Sequence, residues 1–171
     1  MTRGDDLGRV VIPKEIRRTM HIREGDPLEI YTNSSGEVIF KKYSPMGEML
    51  ETASSCAKAL ARAISMPVLI CDREHCIAAE GISKKEVLEK RITSTLDEIM
   101  EKRKSVNFIS NEPFGALEGI DKTIKGAVPI NNAGDISGAV VLLNNEKGEN
   151  ATETDIKLIE VAADFLGKQV E

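Results

Sequence analysis

The stretch Leu7–Met20, LGRVVIPKEIRRTM, places a short β-branched run directly before a proline and a charged segment. Residues 9–12 (RVVI) predict a strand, because valine and isoleucine suit an extended backbone. Pro13 is typical of the first position of a helix, so residues 13–20 are predicted to be helical. The paired arginines of this predicted helix raise the question of what it binds.

The predicted helix separates its charged and apolar side chains. At about 100° per residue, Lys14, Arg17 and Arg18 share one sector, and Ile16 and Met20 share the opposite one. The apolar pair is expected to anchor the helix on a sheet. Arginine donates two parallel hydrogen bonds to phosphate or guanine, so the cationic sector is a candidate surface for duplex DNA. A solvated surface helix without a partner is the alternative interpretation.

The charge is distributed unevenly along the 171 residues. Residues 1–23 hold six basic and three acidic side chains, residues 46–171 hold fifteen and twenty-one, and the formal net charge is -5. A basic end on an acidic body indicates a polyanionic partner for one part of the chain only. Aromatic residues make up only 4% of the chain and none precedes Tyr31, which favours duplex over single-stranded nucleic acid.

The chain is expected to form two domains, residues 1–45 and residues 46–171. In the first, PLEIYT and EVIFKK predict a hairpin around the turn NSSG, and KKYSPMG predicts a linker. The second has the order helix, two strands, helix, strand, two strands, helix, which predicts an α+β domain with an antiparallel sheet and flanking helices. Its predicted helices cover 46–65, 84–105 (with a break near 91–93) and 152–170, and its predicted strands are PVLICD, CIAAEG, VNFI, TIKGAVPI and SGAVVLLN.

The first helix of the second domain has a narrow apolar seam with steps of four and three residues. The seam predicts either a helix–helix contact between subunits or the face that covers a sheet, and the pattern leaves both open. Its members are Met46, Leu50, Ala53, Ala57, Leu60 and Ile64.

Cysteine and histidine usage gives no sign of a metal site or a cofactor. Three cysteines and two histidines lack zinc-ligand spacing. Cys71 and Cys76 flank DREH, so a disulfide is sterically feasible, but reduced thiols are the expectation. No apolar run approaches the roughly 20 residues of a membrane helix, and the charged N-terminus lacks the apolar segment of a signal peptide. The chain is therefore expected in the cytoplasm.

The N-terminal module is too small to bury a sufficient core alone. Domains of about 40 residues normally depend on metals, disulfides or association. With metals and disulfides set aside, residues 1–43 are expected to form at least a dimer. A dimer doubles the basic surface and suits a DNA site with two-fold symmetry.

Several motifs resemble those of AbrB/SpoVT-type transcription regulators. LGRVVIPKEIRR, followed by EGDPLEIY and KKY, is similar to the swapped-hairpin domain of this family over nearly all of residues 5–45. VLICDRE, SKKEVLEK and GAVVLLN resemble the GAF-like C-terminal domain found in the family. The resemblance implies a mostly-β intertwined N-terminal dimer and leaves open whether two dimers form a tetramer. It also implies a nucleoid-associated regulator of late sporulation genes that binds double-stranded DNA.

The resemblance extends to individual site residues. In the family the arginines of the LGR and RRT motifs approach DNA, and here these are Arg9, Arg17 and Arg18. Lys14 shares their helical face. The family also has a first strand of the type TGIVRR, which MTRG replaces here. That strand is therefore expected to be truncated, with Arg3 alone in an equivalent place.

GAF-like domains commonly bind a small molecule between the sheet and its covering loops. An effector of unknown identity is therefore expected, with Phe108 and Phe114 as candidate lining residues. Core packing explains both phenylalanines equally well, and no cluster of convergent charged groups specifies a ligand. An effector that acts must bind the DNA-competent and DNA-incompetent arrangements with different affinity.

Two other classes of function are open to this sequence. One is an antitoxin-like binding module of the same fold, which the patterned second domain disfavours, because antitoxins usually carry a disordered tail there. The other is a thiol-dependent enzyme on a GAF scaffold that uses Cys71 or Cys76. His75 is the one base near either cysteine, and it is expected in an exposed turn, so catalysis is not predicted.

Overall fold

The computed structural model describes residues 3–43, 46–107 and 114–170. The chain divides into two compact units, residues 1–43 and residues 44–171. The division falls within the KKYSPMG segment. Each unit is described by itself.

The N-terminal unit contains a short helix and a hairpin. The helix α1 covers Lys14–Thr19, and strands β1 (Leu28–Thr32) and β2 (Val38–Lys42) pair as an antiparallel hairpin. In the turn, the Oδ1 atom of Asn33 accepts hydrogen bonds from the backbone N–H groups of residues 35 and 37, both at 3.0 Å. The predicted helix and the predicted hairpin around NSSG are thus both confirmed to within one or two residues.

The end of α1 is bonded to the hairpin. His21 adopts a left-handed backbone with φ of 54°, and the N–H of Ile22 donates to the carbonyl of Arg17 at 2.8 Å. The Nζ of Lys42 donates to the carbonyl oxygen of His21 at 2.9 Å. This bond fixes the helix C-terminus against the last residue of β2.

The strand predicted over residues 9–12 is wrong for the single chain. Val10 alone forms an isolated antiparallel bridge, opposite Gly4. A strand requires a neighbour that takes its alternate N–H and C=O groups. Among the described residues, one isolated bridge at Val10 is too short to form such a ladder.

Nothing in the described part of the N-terminal unit is buried. Residues 3–43 are all exposed or half-buried, because two strands and a six-residue helix have too little surface to enclose a core. Nine large apolar side chains are exposed between residues 3 and 43. They are Leu7, Val10, Val11, Ile16, Met20, Ile30, Tyr31, Val38 and Ile39.

The expected anchoring of α1 is also wrong for the single chain. Ile16 and Met20 do lie opposite the cations by helical spacing, but they are 46% and 39% exposed. The two-stranded hairpin does not cover them. The apolar face of α1 therefore remains open in one copy of the chain.

The C-terminal unit is a five-stranded antiparallel sheet with helices on both faces. The strand order is β4-β3-β7-β6-β5, with each neighbouring pair antiparallel. This arrangement confirms the predicted α+β domain. After a 3₁₀ turn at Met46–Met49, its elements are α2 (Leu50–Ala63), β3 (Val68–Asp72), β4 (Cys76–Glu80), α3 (Lys84–Val87), α4 (Ser94–Lys102), β5 (Val106–Asn107), β6 (Ile124–Asn132), β7 (Asp135–Leu143) and α5 (Glu153–Gln169).

Alternate residues of each central strand enter two separate cores. Val68 and Ile70 pack under α2 and α5, whereas Leu69 and Cys71 pack on the opposite side with α3, α4 and residues 116–117. All four strand residues are fully buried. The sheet is therefore enclosed on both faces.

The apolar seam of α2 covers the sheet. Met46, Ala53, Ala57 and two further members are buried in the core cluster formed with the strands, which resolves the two alternatives left open by the pattern. Leu50 is the exception and is 48% exposed. A 3₁₀ turn has three residues per turn, so it shifts the phase between Met46 and the first residue of α2.

The predicted break in the second helix is confirmed and is wider than expected. α3 ends at Val87, Leu88 is extended, and α4 begins after Thr93. The Oγ1 of Thr93 accepts from the N–H of Leu96 at 3.2 Å and donates to the carbonyl of Gly115 at 2.7 Å. The threonine thus caps α4 and also bonds it to a covering loop.

The remaining elements follow the sequence pattern with two differences. Thr152 and Asp155 form a complete capping box at the start of α5, which the sequence predicted as a helix over 152–170. The turn between β6 and β7 is only Ala133–Gly134, both with positive φ, so the strands extend further toward the turn than the predicted TIKGAVPI and SGAVVLLN. Of the predicted strand VNFI, residues 106 and 107 form β5, and the other two lie outside the described residues.

Among the described residues, no helix is both long enough and apolar enough to cross a bilayer.

Candidate nucleic-acid interface

The predicted cationic face is present on α1. Lys14, Arg17 and Arg18 all lie within this six-residue helix and are exposed. Arg18 donates from Nη2 to the Oε2 of Glu15 at 2.9 Å, and both side chains are more than three-quarters exposed. Within the described chain, Lys14 and Arg17 have no ion-pair partner. The exposed ion pair of Arg18 and Glu15 contributes little stability. A phosphate can therefore replace Glu15 at small cost.

Arg9 is held in a compact loop of residues 4–10, here called the Asp5 loop. The Oδ2 of Asp5 accepts from the Nε of Arg9 at 2.7 Å, while Oδ1 accepts the N–H groups of Leu7 and Arg9 at 3.0 and 2.9 Å. Gly8 occupies a left-handed conformation with φ of 75°, which favours glycine at this place in the LGR motif. These bonds, above all the one from the Arg9 backbone N–H, lower the pKa of Asp5 below its ordinary value.

The structure brings together only part of the predicted set. The three α1 cations share one helix, but among the described residues no hydrogen bond or ion pair joins Arg9 to α1. Arg3 is exposed at the beginning of the described chain. The five predicted residues therefore occupy three places: Arg3, the Asp5 loop and α1.

Sequence reasoning missed the two carboxylates that bond these arginines. The spacing of Glu15 and Arg18 is typical of a helical ion pair and was available as a signal. The sequence gives no such signal for the pair of Asp5 and Arg9, because their contact depends on a loop that brings residues four apart together outside a helix.

The structure describes one of the two predicted ligand-lining residues. Phe108 lies outside the described residues, and Phe114 is half-buried. Two surface hollows of about 480 and 490 Å³ lie elsewhere in the C-terminal unit; both include Ile82 and Lys122, and neither is lined by Phe114. The second hollow is also lined by Lys85, Glu86, Lys90, Gly119, Ile120 and Asp121.

A buried carboxylate organises the turn between β3 and β4. Asp72 is 2% exposed, and its Oδ1 accepts the N–H groups of Glu74 and His75 at 2.7 and 2.8 Å. The Nδ1 of His75 lies 3.1 Å from the same oxygen, close enough for an ion pair although it is not aligned as a hydrogen bond. Its Nε2 lies 3.7 Å from the carboxylate of Glu89. His75 was expected in an exposed turn but is half-buried, and Asp72 holds it against the turn.

The charges of this turn shift both pKa values. Burial alone raises the pKa of Asp72, but the interactions with His75 and the backbone N–H groups outweigh it and bring the pKa below its ordinary value. The Asp72 carboxylate raises the pKa of His75, against the opposing effect of burial, and Glu89 and Glu74 add to the increase. The protonated imidazole and the ionised carboxylate therefore favour each other.

The cysteines do not form a nucleophilic site. Cys71 and Cys76 are partners across the hairpin and are buried, and all three cysteines are free thiols. The hydrogen bond with Cys76, followed by burial, raises the pKa of Cys71 well above its ordinary value. A thiol held in its protonated form is a poor nucleophile. Among the described residues there is also no group of three metal-ligating side chains.

Two families match different parts of the chain. Residues 48–171 match the family described as stage V sporulation protein T C-terminal, transcription factor. Residues 1–47 match the family described as antidote-toxin recognition MazE, bacterial antitoxin.

Individual relatives agree with this division. Stage V sporulation protein T of Bacillus subtilis (strain 168) is 47% identical over 171 residues, which is 99% of this chain and 95% of that protein. Transition state regulatory protein AbrB of the same organism is 58% identical over 41 residues, 24% of this chain and 42% of the relative. The GAF domain of an Acinetobacter phosphoenolpyruvate-protein phosphotransferase superposes with a TM-score of 0.58 at 14% identity, over 75% of this chain and 83% of that one, which shows the fold alone.

The resemblance inferred from the motifs is confirmed by these matches. The N-terminal domain is of the AbrB/MazE type, and the C-terminal domain is GAF-like. The chain belongs to the stage V sporulation protein T family of transcription factors.

Proposed function

We propose that this chain is a DNA-binding transcription regulator of sporulation genes that holds duplex DNA through Arg9, Lys14, Arg17 and Arg18, with Arg3 as a further contact. The observation that carries the proposal is the exposed cationic face of α1 in a unit of the AbrB/MazE type. A regulator with this partner is expected in the cytoplasm at the nucleoid.

Duplex DNA fits this face better than a single strand does. Lys14, Arg17 and Arg18 lie within one and a half helical turns, a spacing suited to successive phosphates and a groove edge. No aromatic side chain precedes Tyr31, so α1 offers no platform on which bases could stack. The contacts are therefore mainly with phosphate, and binding is strongly salt-dependent.

The N-terminal module, taken as residues 1–45, acts as an intertwined dimer. Nine large apolar side chains are exposed in its described residues, where none is buried, so the unit has apolar residues for a core that one copy does not enclose. A second copy pairs with residues 9–12, which form one isolated bridge among the described residues, and covers the apolar face of α1. Two copies also present two cationic helices to one duplex.

A second contact between subunits lies on α5 and makes the assembly a tetramer. Val161 and Phe165 are 69% and 47% exposed and lie one turn apart on the helix face away from the sheet. Leu158 is half-buried one turn earlier. The patch lies on the domain of residues 46–171, which allows it to join two N-terminal dimers.

The same domain serves as the sensor of a small-molecule effector. The candidate lining residues are Phe108 and Phe114, as expected for a GAF-like fold. An effector changes DNA binding only through unequal affinity for the two functional states.

An antitoxin is the second candidate, because residues 1–47 match a MazE family. Residues 46–171 form a domain with two cores in the place of a partner-wrapping tail. That difference favours the regulator.

The test replaces the two neighbouring arginines of α1. Arg17→Ala with Arg18→Ala removes about two phosphate contacts per protomer, so binding to every duplex weakens and the salt dependence becomes shallower by roughly two units per protomer. Fluorescence anisotropy with a labelled duplex at several salt concentrations measures both. The control, Lys102→Ala with Lys104→Ala, removes the same charge from the C-terminal unit and leaves the slope unchanged. An equal slope in wild type and the arginine variant would remove α1 from the interface.

A further inference from the structure

Asp5 makes more bonds than an exposed carboxylate usually does. Its side chain accepts the N–H groups of Leu7 and Arg9 and the Nε of Arg9. Its own backbone N–H donates to the carbonyl of Arg9 at 3.1 Å, and its carbonyl accepts from the N–H of Gly8 at 3.1 Å. The bridge between Gly4 and Val10 closes the loop from outside. The position of the carboxylate is thus fixed by the backbone.

The contact orients the guanidinium without occupying its outer end. Arg9 uses Nε toward Asp5, and among the described residues its two Nη groups make no hydrogen bond. The side chain is 72% exposed. The two Nη groups form the edge that binds a guanine or a phosphate with two parallel hydrogen bonds.

Arg18 provides a contrast within the same unit. Its partner Glu15 accepts from Nη2, one of the donors that DNA needs. Glu15 must therefore leave when DNA binds, whereas Asp5 does not compete for the outer edge of Arg9.

We propose that Asp5 is a positioning residue that presents the Nη edge of Arg9 to base edges and so contributes to sequence discrimination. This inference rests on the proposed DNA contact of Arg9. A guanidinium held at Nε has lost most of its rotational freedom before binding, so a bidentate contact forms only where the duplex offers the matching acceptors.

Removal of the Asp5 carboxylate affects DNA binding differently if Asp5 positions Arg9 than if it only repels phosphate. Removing a carboxylate near a DNA-binding surface strengthens binding to all duplexes, because it removes repulsion from phosphates. A positioning role predicts instead that discrimination between duplexes falls while non-specific binding is unchanged or slightly tighter.

The experiment uses the full chain with Asp5→Asn. Asparagine retains an oxygen for the N–H groups of Leu7 and Arg9 but places an amide where Arg9 needs an acceptor. The probes are a duplex selected by the wild-type chain from a randomised pool and a shuffled duplex of the same composition. The ratio of the two dissociation constants is expected to fall about tenfold, since one bidentate contact supplies roughly that discrimination.

Three further variants complete the test. Arg9→Ala loses the same discrimination, and Asp5→Asn has no further effect on the ratio in that background. Arg9→Lys keeps the charge but not the paired donors, so its ratio of dissociation constants is expected to equal that of Asp5→Asn. This variant leaves Asp5 in place, so its result does not depend on whether the loop accepts asparagine. The matched control Glu15→Gln tightens binding to both duplexes equally.

The outcomes test the positioning role of Asp5 separately from the proposed DNA contact of Arg9. If Arg9→Ala loses discrimination and Asp5→Asn keeps it, Arg9 reads DNA without Asp5 and the positioning role is wrong. If Asp5→Asn weakens both duplexes by the same factor, the carboxylate only maintains the loop, and the inference is again overturned. If Arg9→Ala binds both duplexes as wild type does, the proposed DNA contact of Arg9 fails as well.

Discussion

The two units of this chain differ in how they treat their apolar residues. In residues 46–170 both faces of a five-stranded sheet are covered, and side chains such as Ile70 and Leu142 are fully buried. In residues 3–43 none of the described residues is buried, and isoleucines such as Ile30 are open to solvent. Two enclosed cores make the C-terminal unit self-sufficient. The N-terminal unit has the apolar residues for a core but lacks the surface to enclose them. The difference implies that association completes the N-terminal unit.

The largest expected effect is on isolated fragments. Residues 46–171 alone should retain a cooperative thermal transition, because both cores lie within this unit. Residues 1–45 alone should be unfolded at low micromolar concentration and gain structure as the concentration rises. Circular dichroism against temperature and concentration measures both. A concentration-independent fold in the smaller fragment would contradict the comparison.

A matched pair of substitutions sharpens the contrast. Ile70→Ala removes a fully buried side chain and should lower the free energy of unfolding of the C-terminal unit by about 2–5 kcal/mol. Ile30→Ala, at a position 63% exposed in one copy, should leave that transition unchanged and weaken self-association instead.

Thermal unfolding and sedimentation velocity of the two variants separate these effects. Sedimentation of the Ile30→Ala variant identical to wild type would show that the exposed hairpin does not contact a second copy.

Sequence reasoning succeeded where local pattern decides structure. The proline before Lys14 and the NSSG turn each specify an element through nearby backbone bonds, and each was predicted correctly. It failed where an element depends on a partner distant in sequence. Residues 9–12 have strand propensity, but among the described residues they form one isolated bridge, at Val10, and the seam of α2 could not reveal which surface it covers.

The candidate site shows the same limit. Helical spacing was sufficient to group Lys14, Arg17 and Arg18. The contact of Asp5 with Arg9 depends on loop closure, which has no periodicity to detect. The resemblance to a family identified Arg9, but it gave no indication of the carboxylate that holds it.

The smallest expected effect concerns pH and the turn between β3 and β4. The raised pKa of His75 means that its pair with Asp72 stabilises the fold fully below the ordinary histidine pKa and loses this contribution as pH rises through the folded value. The lowered pKa of Asp72 adds stability that is present above the ordinary aspartate pKa and is lost as pH falls through the folded value.

Comparison with His75→Gln isolates the histidine. Between about pH 6 and about pH 8 the melting temperature of wild type should fall by roughly 1–3 °C more than that of the variant, a modest change because His75 is partly exposed. Differential scanning calorimetry of the fragment 46–171 measures it. A parallel pH dependence in both proteins would contradict the assigned pair.

The central claim is that two copies of the N-terminal unit complete each other. The most direct test is sedimentation equilibrium of the full chain carrying Val161→Ser and Phe165→Ser, which removes the proposed contact on α5 and leaves the N-terminal one. The account predicts a dimer for this variant and a tetramer for wild type. A monomeric variant would contradict it, because the exposed apolar side chains of residues 3–43 would then have no partner.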